Sequence, residues 1–312
     1  MMMEKKFNGV VVPMISPFTP AFKVDVAAAA RITEHLSSYG AHPFLLGTTG
    51  ESVSIAKEER ARLVSAVVKA NAGAKTVYAG ISGNCFSEVV AEAKLFTDLG
   101  VDALVSTMPS YYPVEPDQQL RYFEQLADEV PLPLIIYNIP ATTHLSIPLD
   151  VVEQLSHHQN ILGFKDSEKG EERMIDAISR WKDRPDFAYL LGWALKSQQA
   201  LFLGADGIVP STGNLAPGLY QSIFDAAVAG NKVLATAAQV KADYLSEIYQ
   251  KDRVLSKALP VLKIMMSAYS LCGTAMLPPL YQLPAEEEKS IVTRMRAEFD
   301  HLINVNTSNE NE

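Results

Sequence analysis

Lys165 closes the apolar run Ile161-Leu162-Gly163-Phe164. A core strand rarely ends on an unpaired amine, because an ammonium taken out of water is costly. Inside a pocket that cost becomes useful, since desolvation disfavours the charged form and leaves a neutral nucleophile near pH 7. An ordinary lysine keeps only about 0.04% of its amine neutral at that pH, a deficit of roughly 4.6 kcal/mol. Burial shifts lysines by ~3–5 units, enough to close the gap. The plainer alternative is a strand-end lysine that snorkels into solvent. Three other stretches favour chemistry. Gly47-Thr48-Thr49-Gly50-Glu51-Ser52 presents hydroxyls and backbone N–H groups, an uncharged cradle for a carboxylate. Tyr137 offers a phenol to move protons during amine addition and dehydration. Tyr111-Tyr112 adds two further phenols. Together these groups suit attack of an amine on the ketone of a 2-oxo acid.

The elements that must hold them are short apolar runs: Gly9–Met14, Pro43–Gly47, Thr76–Gly80, Ala103–Thr107, Pro133–Tyr137, Ile161–Lys165, Ala188–Gly192 and Gly207–Ser211. None alternates with polar residues, as expected of strands buried on both faces. Three of them follow a glycine that can close a helix in the left-handed conformation, at Gly40, Gly100 and Gly204. Helical patterns lie between the runs: Leu63, Val64, Val67 and Val68 share a face, as do Leu120, Phe123 and Leu126, with Asp117 expected as an N-cap. Eight strands alternating with helices predict an α/β fold, a (β/α)8 TIM barrel over residues 7–229. An open doubly wound sheet would want a Gly-rich fingerprint after the first strand, where Pro13-Met14-Ile15-Ser16-Pro17 stands instead. Beyond Gly230 the pattern turns helical, predicting Lys232–Tyr249, Val254–Cys272 and Ala285–Ile303 as a C-terminal three-helix extension over 230–304, with a polar tail at 305–312. In a barrel, Gly47–Ser52, Tyr111-Tyr112, Tyr137 and Lys165 all follow or end strands, and so reach one rim.

Composition excludes several classes of function. The 312 residues carry a net charge of −9, so there is no basic footprint for nucleic acid. No run approaches the ~18 apolar residues of a membrane span. Cys85 and Cys272 form neither a disulfide framework nor a zinc spacing, and Met1–Phe7 lacks the apolar run of a signal peptide. A reducing cytoplasm is therefore the expected location. No set of His and carboxylate ligands gathers at the strand ends, and neither metal nor diffusible cofactor is expected.

Gly47-Thr48-Thr49-Gly50-Glu51, Tyr137-Asn138-Ile139-Pro140, Gly163-Phe164-Lys165-Asp166 and Gly204-Ala205-Asp206-Gly207-Ile208, in that order, closely resemble the dihydrodipicolinate synthase / N-acetylneuraminate lyase family of Schiff-base aldolases. The resemblance implies that Lys165 forms an imine with pyruvate or another 2-oxo acid and that Tyr137 shuttles protons. It implies that Thr48 and Thr49 hold the carboxylate, with Gly47 and Ile208 beside the substrate. Thr49 would join a proton relay with Tyr111 (or its neighbour Tyr112), reached across a subunit interface in a homotetramer.

Departures bear on the substrate. Thr142 stands where the lysine-pathway synthases place an arginine for the second substrate's carboxylate, a clamp worth ~1.5–3 kcal/mol. His144 replaces a usual glycine, and Trp193 a usual acidic residue, so both are candidate contacts to the aldehyde half. These changes favour an aldolase acting on a 2-keto-3-deoxy sugar acid or related 2-oxo acid. The alternatives are 4-hydroxy-tetrahydrodipicolinate synthase, an aromatic-aldehyde hydratase-aldolase suggested by Trp193, and a non-catalytic member that only binds the 2-oxo acid.

Overall fold

The computed structural model describes residues 5–301 and 303. Eight strands, β1 (Gly9–Pro13), β2 (His42–Leu45), β3 (Tyr78–Gly80), β4 (Ala103–Thr107), β5 (Leu134–Asn138), β6 (Ile161–Asp166), β7 (Ala188–Leu191) and β8 (Gly207–Ile208), pair in sequence order and close into a parallel barrel. Every strand sits within one or two residues of its sequence expectation except β8, which pairs over only two residues because Pro210 cannot donate to the ladder. Residues 305–312 lie outside the described residues.

Period-two alternation sorts each strand into two layers. Val11, Phe44, Val105, Ile135 and Leu190 fill the lumen. Val10, Val12, Ile136, Phe164 and Leu191 face outward and pack under the helices. The helix Lys57–Asn71 illustrates the match: its charged first turn is solvent-facing apart from Glu59, while Leu63, Val64 and Val67 are buried. In the helix Pro116–Glu129 the expected cap is corrected. Asp117 lies within the first turn, and Glu115 forms a reciprocal capping box with Gln118. Proline at the first helical position forces the preceding residue to be extended, which places the cap there.

The C-terminal helices are Lys232–Gln250, Leu255–Ser267 and Ala285–Phe299. The second stops five residues before Cys272, since Ser270 turns left-handed (φ 57°) and the Leu271 amide folds back onto the Met266 carbonyl. The third ends at Phe299 rather than residue 303. Leu245, Leu262, Met265, Met295 and Phe299 belong to the same apolar core as the strand–helix layer of the barrel. The extension is thus packed on the barrel by shared burial, and its second helix begins beside the rim that carries Lys165.

Candidate active site

Lys165 stands on β6 in register with Tyr137 of β5 and Leu190 of β7. That register turns all three into the lumen, while Phe164 and Asp166 face outward. Lys165 is 4% exposed. Its Nζ lies 3.5 Å from the centroid of the Tyr137 ring and 4.6 Å from that of Phe44. Two ring faces at these distances favour an ammonium. Full burial of a lysine opposes this by roughly 4–7 kcal/mol. Desolvation wins, and it holds the amine well below its ordinary value. Among the described residues no carboxylate pairs with Lys165 to restore the charge.

Tyr137 moves the other way. Burial raises its phenol, and the Thr48 and Ser167 hydroxyls approaching it oppose only part of that rise. Burial thus keeps the phenol protonated and disfavours charge on the amine beside it, the pairing that amine addition to a carbonyl requires.

The Gly47–Ser52 stretch folds as two consecutive 3-10 turns, Thr48–Gly50 and Ser52–Ser54, joined at Glu51 (φ 55°). A Cβ at Gly47 would lie 3.0 Å from the Phe44 ring, so a larger residue there would push that ring aside. The Ser16 hydroxyl donates to the Gly50 carbonyl at 2.7 Å. Glu51 borders the cavity, but its carboxylate is engaged elsewhere. Its Oε1 accepts from Lys263 Nζ at 2.5 Å and its Oε2 from the Leu277 amide at 2.8 Å, while Lys263 also donates to the Ala275 carbonyl at 2.8 Å. Both side chains are 1% exposed. One buried ion pair therefore ties the threonine turn to the C-terminal extension. It went unread in the sequence, although a lysine inside Val261-Leu262-Lys263-Ile264-Met265 is the mark of a buried partner.

A second brace lies behind β5 and β6. Asn138 Nδ2 donates to Asp166 Oδ1 at 2.8 Å and to Glu168 Oε2 at 2.9 Å, and Arg173 Nε donates to Asp166 Oδ2 at 2.7 Å. Asn138 Oδ1 also accepts the Ile147 amide. Lys165 and Tyr137 each precede a residue of this network, so their backbones are fixed from outside the lumen.

A cavity of about 470 Å³ opens at this rim, lined by Gly47, Thr48, Tyr137 and Thr142 among others. The Phe44 and Tyr137 rings form its floor, and Lys165 lies behind them rather than on the wall. Other expected residues fall elsewhere. Thr49 is buried behind Thr48 and off the cavity wall. Tyr111 is 75% exposed and packs edge-on against Tyr112 at 5.0 Å, outside the lining. The Ile208 side chain faces the helix layer with Val10 and Leu191, because alternation along the strand gives the lumen to Val209 instead. His144 is exposed in a left-handed conformation that ends the short helix Pro140–Thr143, off the cavity. Trp193 packs half-buried against the core under Lys196, also off the cavity. Phe44 was missed, since nothing in Pro43-Phe44-Leu45 marks which residue meets the amine.

A dry amine under a protonated phenol at the C-terminal rim of a (β/α)8 barrel is the chemistry of a class I, Schiff-base lyase. The chain belongs to the Dihydrodipicolinate synthetase family, whose sequence profile matches residues 6–298. An uncharacterized DapA-like lyase of Thermofilum pendens is 33% identical over 79% of this chain and 83% of its own length. The 4-hydroxy-tetrahydrodipicolinate synthase of Alkalilimnicola ehrlichii is 29% identical over 93% and 98%. Among solved structures, dihydrodipicolinate synthase from Bacteroides thetaiotaomicron superposes with a TM-score of 0.89 at 29% identity, covering 95% of this chain and all of that one. YagE, a prophage protein of the same family from E. coli K12 in complex with pyruvate, gives 0.87 at 26% identity over 94% and 98%. Among the described residues, no cluster of three or more His, Cys, Asp or Glu could hold a metal ion, and no helix is long and apolar enough to cross a membrane.

Proposed function

We propose that the protein joins pyruvate to an aldehyde, or releases pyruvate from the resulting 4-hydroxy-2-oxo acid, through an imine on Lys165. The observation that carries this reading is the Lys165 amine, kept neutral by burial and set against the Tyr137 ring. Neutral Lys165 attacks the ketone, and Tyr137 delivers the proton that lets water leave. The iminium then draws electrons from the neighbouring carbon, so a carbon–carbon bond breaks to an enamine or forms from one. The Thr48 hydroxyl and the turn behind it would hold the carboxylate, with Thr49 acting from beneath. The iminium is itself the electron sink, so the scheme needs neither metal nor diffusible cofactor. The YagE complex with pyruvate supports the choice of 2-oxo acid.

Tyr111, exposed on one protomer, would complete a proton relay only in the site of a second copy, which is the reason to expect a homotetramer. A cytoplasmic enzyme fits the two free cysteines. The names of relatives favour a second reading, 4-hydroxy-tetrahydrodipicolinate synthase. Thr142 on the cavity wall weighs against it, because no guanidinium replaces the missing clamp there. Borohydride reduction with pyruvate should add a stable mass to the peptide holding Lys165, and Lys165→Ala should abolish turnover with the fold intact. An unmodified peptide at saturating pyruvate refutes the scheme. A member that binds without catalysis would leave the pyruvate methyl protons unexchanged in deuterium oxide.

A further inference from the structure

The cavity is lined from two parts of the chain. The barrel side mixes apolar groups (Phe44, Leu46, Val105, Met108) with hydroxyls and amides, several of them already engaged with backbone: Ser82 accepts the Thr107 amide, Asn84 accepts the Ser110 amide, and Thr143 donates to the Ile139 carbonyl. The opposite wall comes from the C-terminal extension and is largely apolar, built from Val254, Leu255, Leu259, Pro279 and Leu280 with one hydroxyl, that of Ser256. Among the described residues no lysine, arginine or histidine lines the cavity, and the one acid, Glu51, is committed to Lys263 and the Leu277 amide. At the mouth, Val254 and Val53 stand 69% and 86% exposed.

Building on the imine reading, we propose that the extension is the acceptor-selecting wall and that the aldehyde it accepts has an uncharged, apolar body. The carbon–carbon bond forms between the pyruvate methyl carbon and the aldehyde carbon. The proton lost from the methyl group is balanced by one gained on the aldehyde oxygen, and the water released at imine formation is returned at hydrolysis. A carboxylate on the acceptor would meet this wall with no cation to pair with, which is unfavourable. A polyhydroxylated chain would strand its hydroxyls against Leu259 and Pro279.

The test uses the full chain with pyruvate and three aldehydes: 3-methylbutanal, glyceraldehyde and 4-oxobutanoate. The kcat/KM for 3-methylbutanal should exceed both others at least tenfold. Equal or better use of glyceraldehyde or 4-oxobutanoate overturns the proposal. Leu255→Arg should raise the ratio of kcat/KM for 4-oxobutanoate to that for 3-methylbutanal at least tenfold. Because this is a ratio, it does not depend on the fraction of variant that folds, and an unchanged ratio also overturns the proposal. Exchange of the pyruvate methyl protons without any aldehyde separates the two readings. Exchange with the wrong acceptor preference sinks this inference alone, whereas no exchange sinks the imine scheme and this inference with it.

Discussion

Lys263→Met removes the cation from the pair that joins the threonine turn to the extension. It leaves the Glu51 carboxylate 1% exposed, with only the Leu277 amide as a partner. Breaking a buried pair from one side costs about 3–5 kcal/mol, because an uncompensated charge remains in low dielectric. Against a typical total of ~5–15 kcal/mol, that is a large share of the stability. Glu51→Gln should cost a similar amount, since it strands the ammonium of Lys263. That amine already lies below its ordinary value through burial, against the pull of Glu51. The double variant Glu51→Gln/Lys263→Met leaves no buried charge and keeps an oxygen for the Leu277 amide, so it should lose less than either single variant. Urea denaturation followed by circular dichroism gives the three stabilities, and borohydride trapping gives the apparent KM for pyruvate. Both singles should also raise that KM, because Thr48 and the Pro279–Leu280 wall hang on the same pair. Single variants within 1 kcal/mol of the parent, or a double variant losing the sum of the two, would refute this account.

The buried amine has a stability signature of its own. Native Lys165 is neutral where the unfolded lysine is protonated, so the unfolded chain binds more protons and this residue's penalty shrinks as pH rises. Lys165→Met should therefore abolish turnover while raising the melting temperature, by about 2–4 °C for each kcal/mol recovered; a fall in melting temperature contradicts the burial argument. The rate of imine trapping should have its acid limb well below the ordinary lysine value and its alkaline limb above the ordinary tyrosine value, as the opposite shifts of Lys165 and Tyr137 require. A profile that rises only near pH 10 would contradict this. His42 reports on acid stability. Burial, aided by Lys75, pushes it down to about 4, and its Nδ1 accepts the Thr76 amide at 3.1 Å. The native ring stays neutral while the unfolded one protonates below 6.5, so stability is lost as pH falls from 6.5 to about 4, by about 3 kcal/mol in full. His42→Gln should flatten urea midpoints across that window, and an unchanged slope refutes the assignment.

Much was legible from sequence because it depends on local order. Continuous apolar runs such as Leu134–Tyr137 report burial on both strand faces, and a motif at a strand's C-terminal end must sit at the barrel's active rim. That rule puts Lys165, Tyr137 and Thr48 at one rim from sequence order alone. What failed depends on direction or on distant partners. Ile208 sits beside the lumen-facing Val209, and one residue along a strand reverses the side chain. His144 and Trp193 follow strand ends, yet the helical turn Pro140–Thr143 and packing against the core carry them off the cavity. Phe44 meets Lys165 only because the barrel closes. Glu51 finds Lys263 across 212 positions of sequence. Residue types and their order set the chemistry available, since nucleophile, phenol and hydroxyl turn are local features. Tertiary structure alone decided which groups are dry, which are paired, and that one wall of the cavity comes from the chain's far end, because burial and long-range pairing are properties of packing.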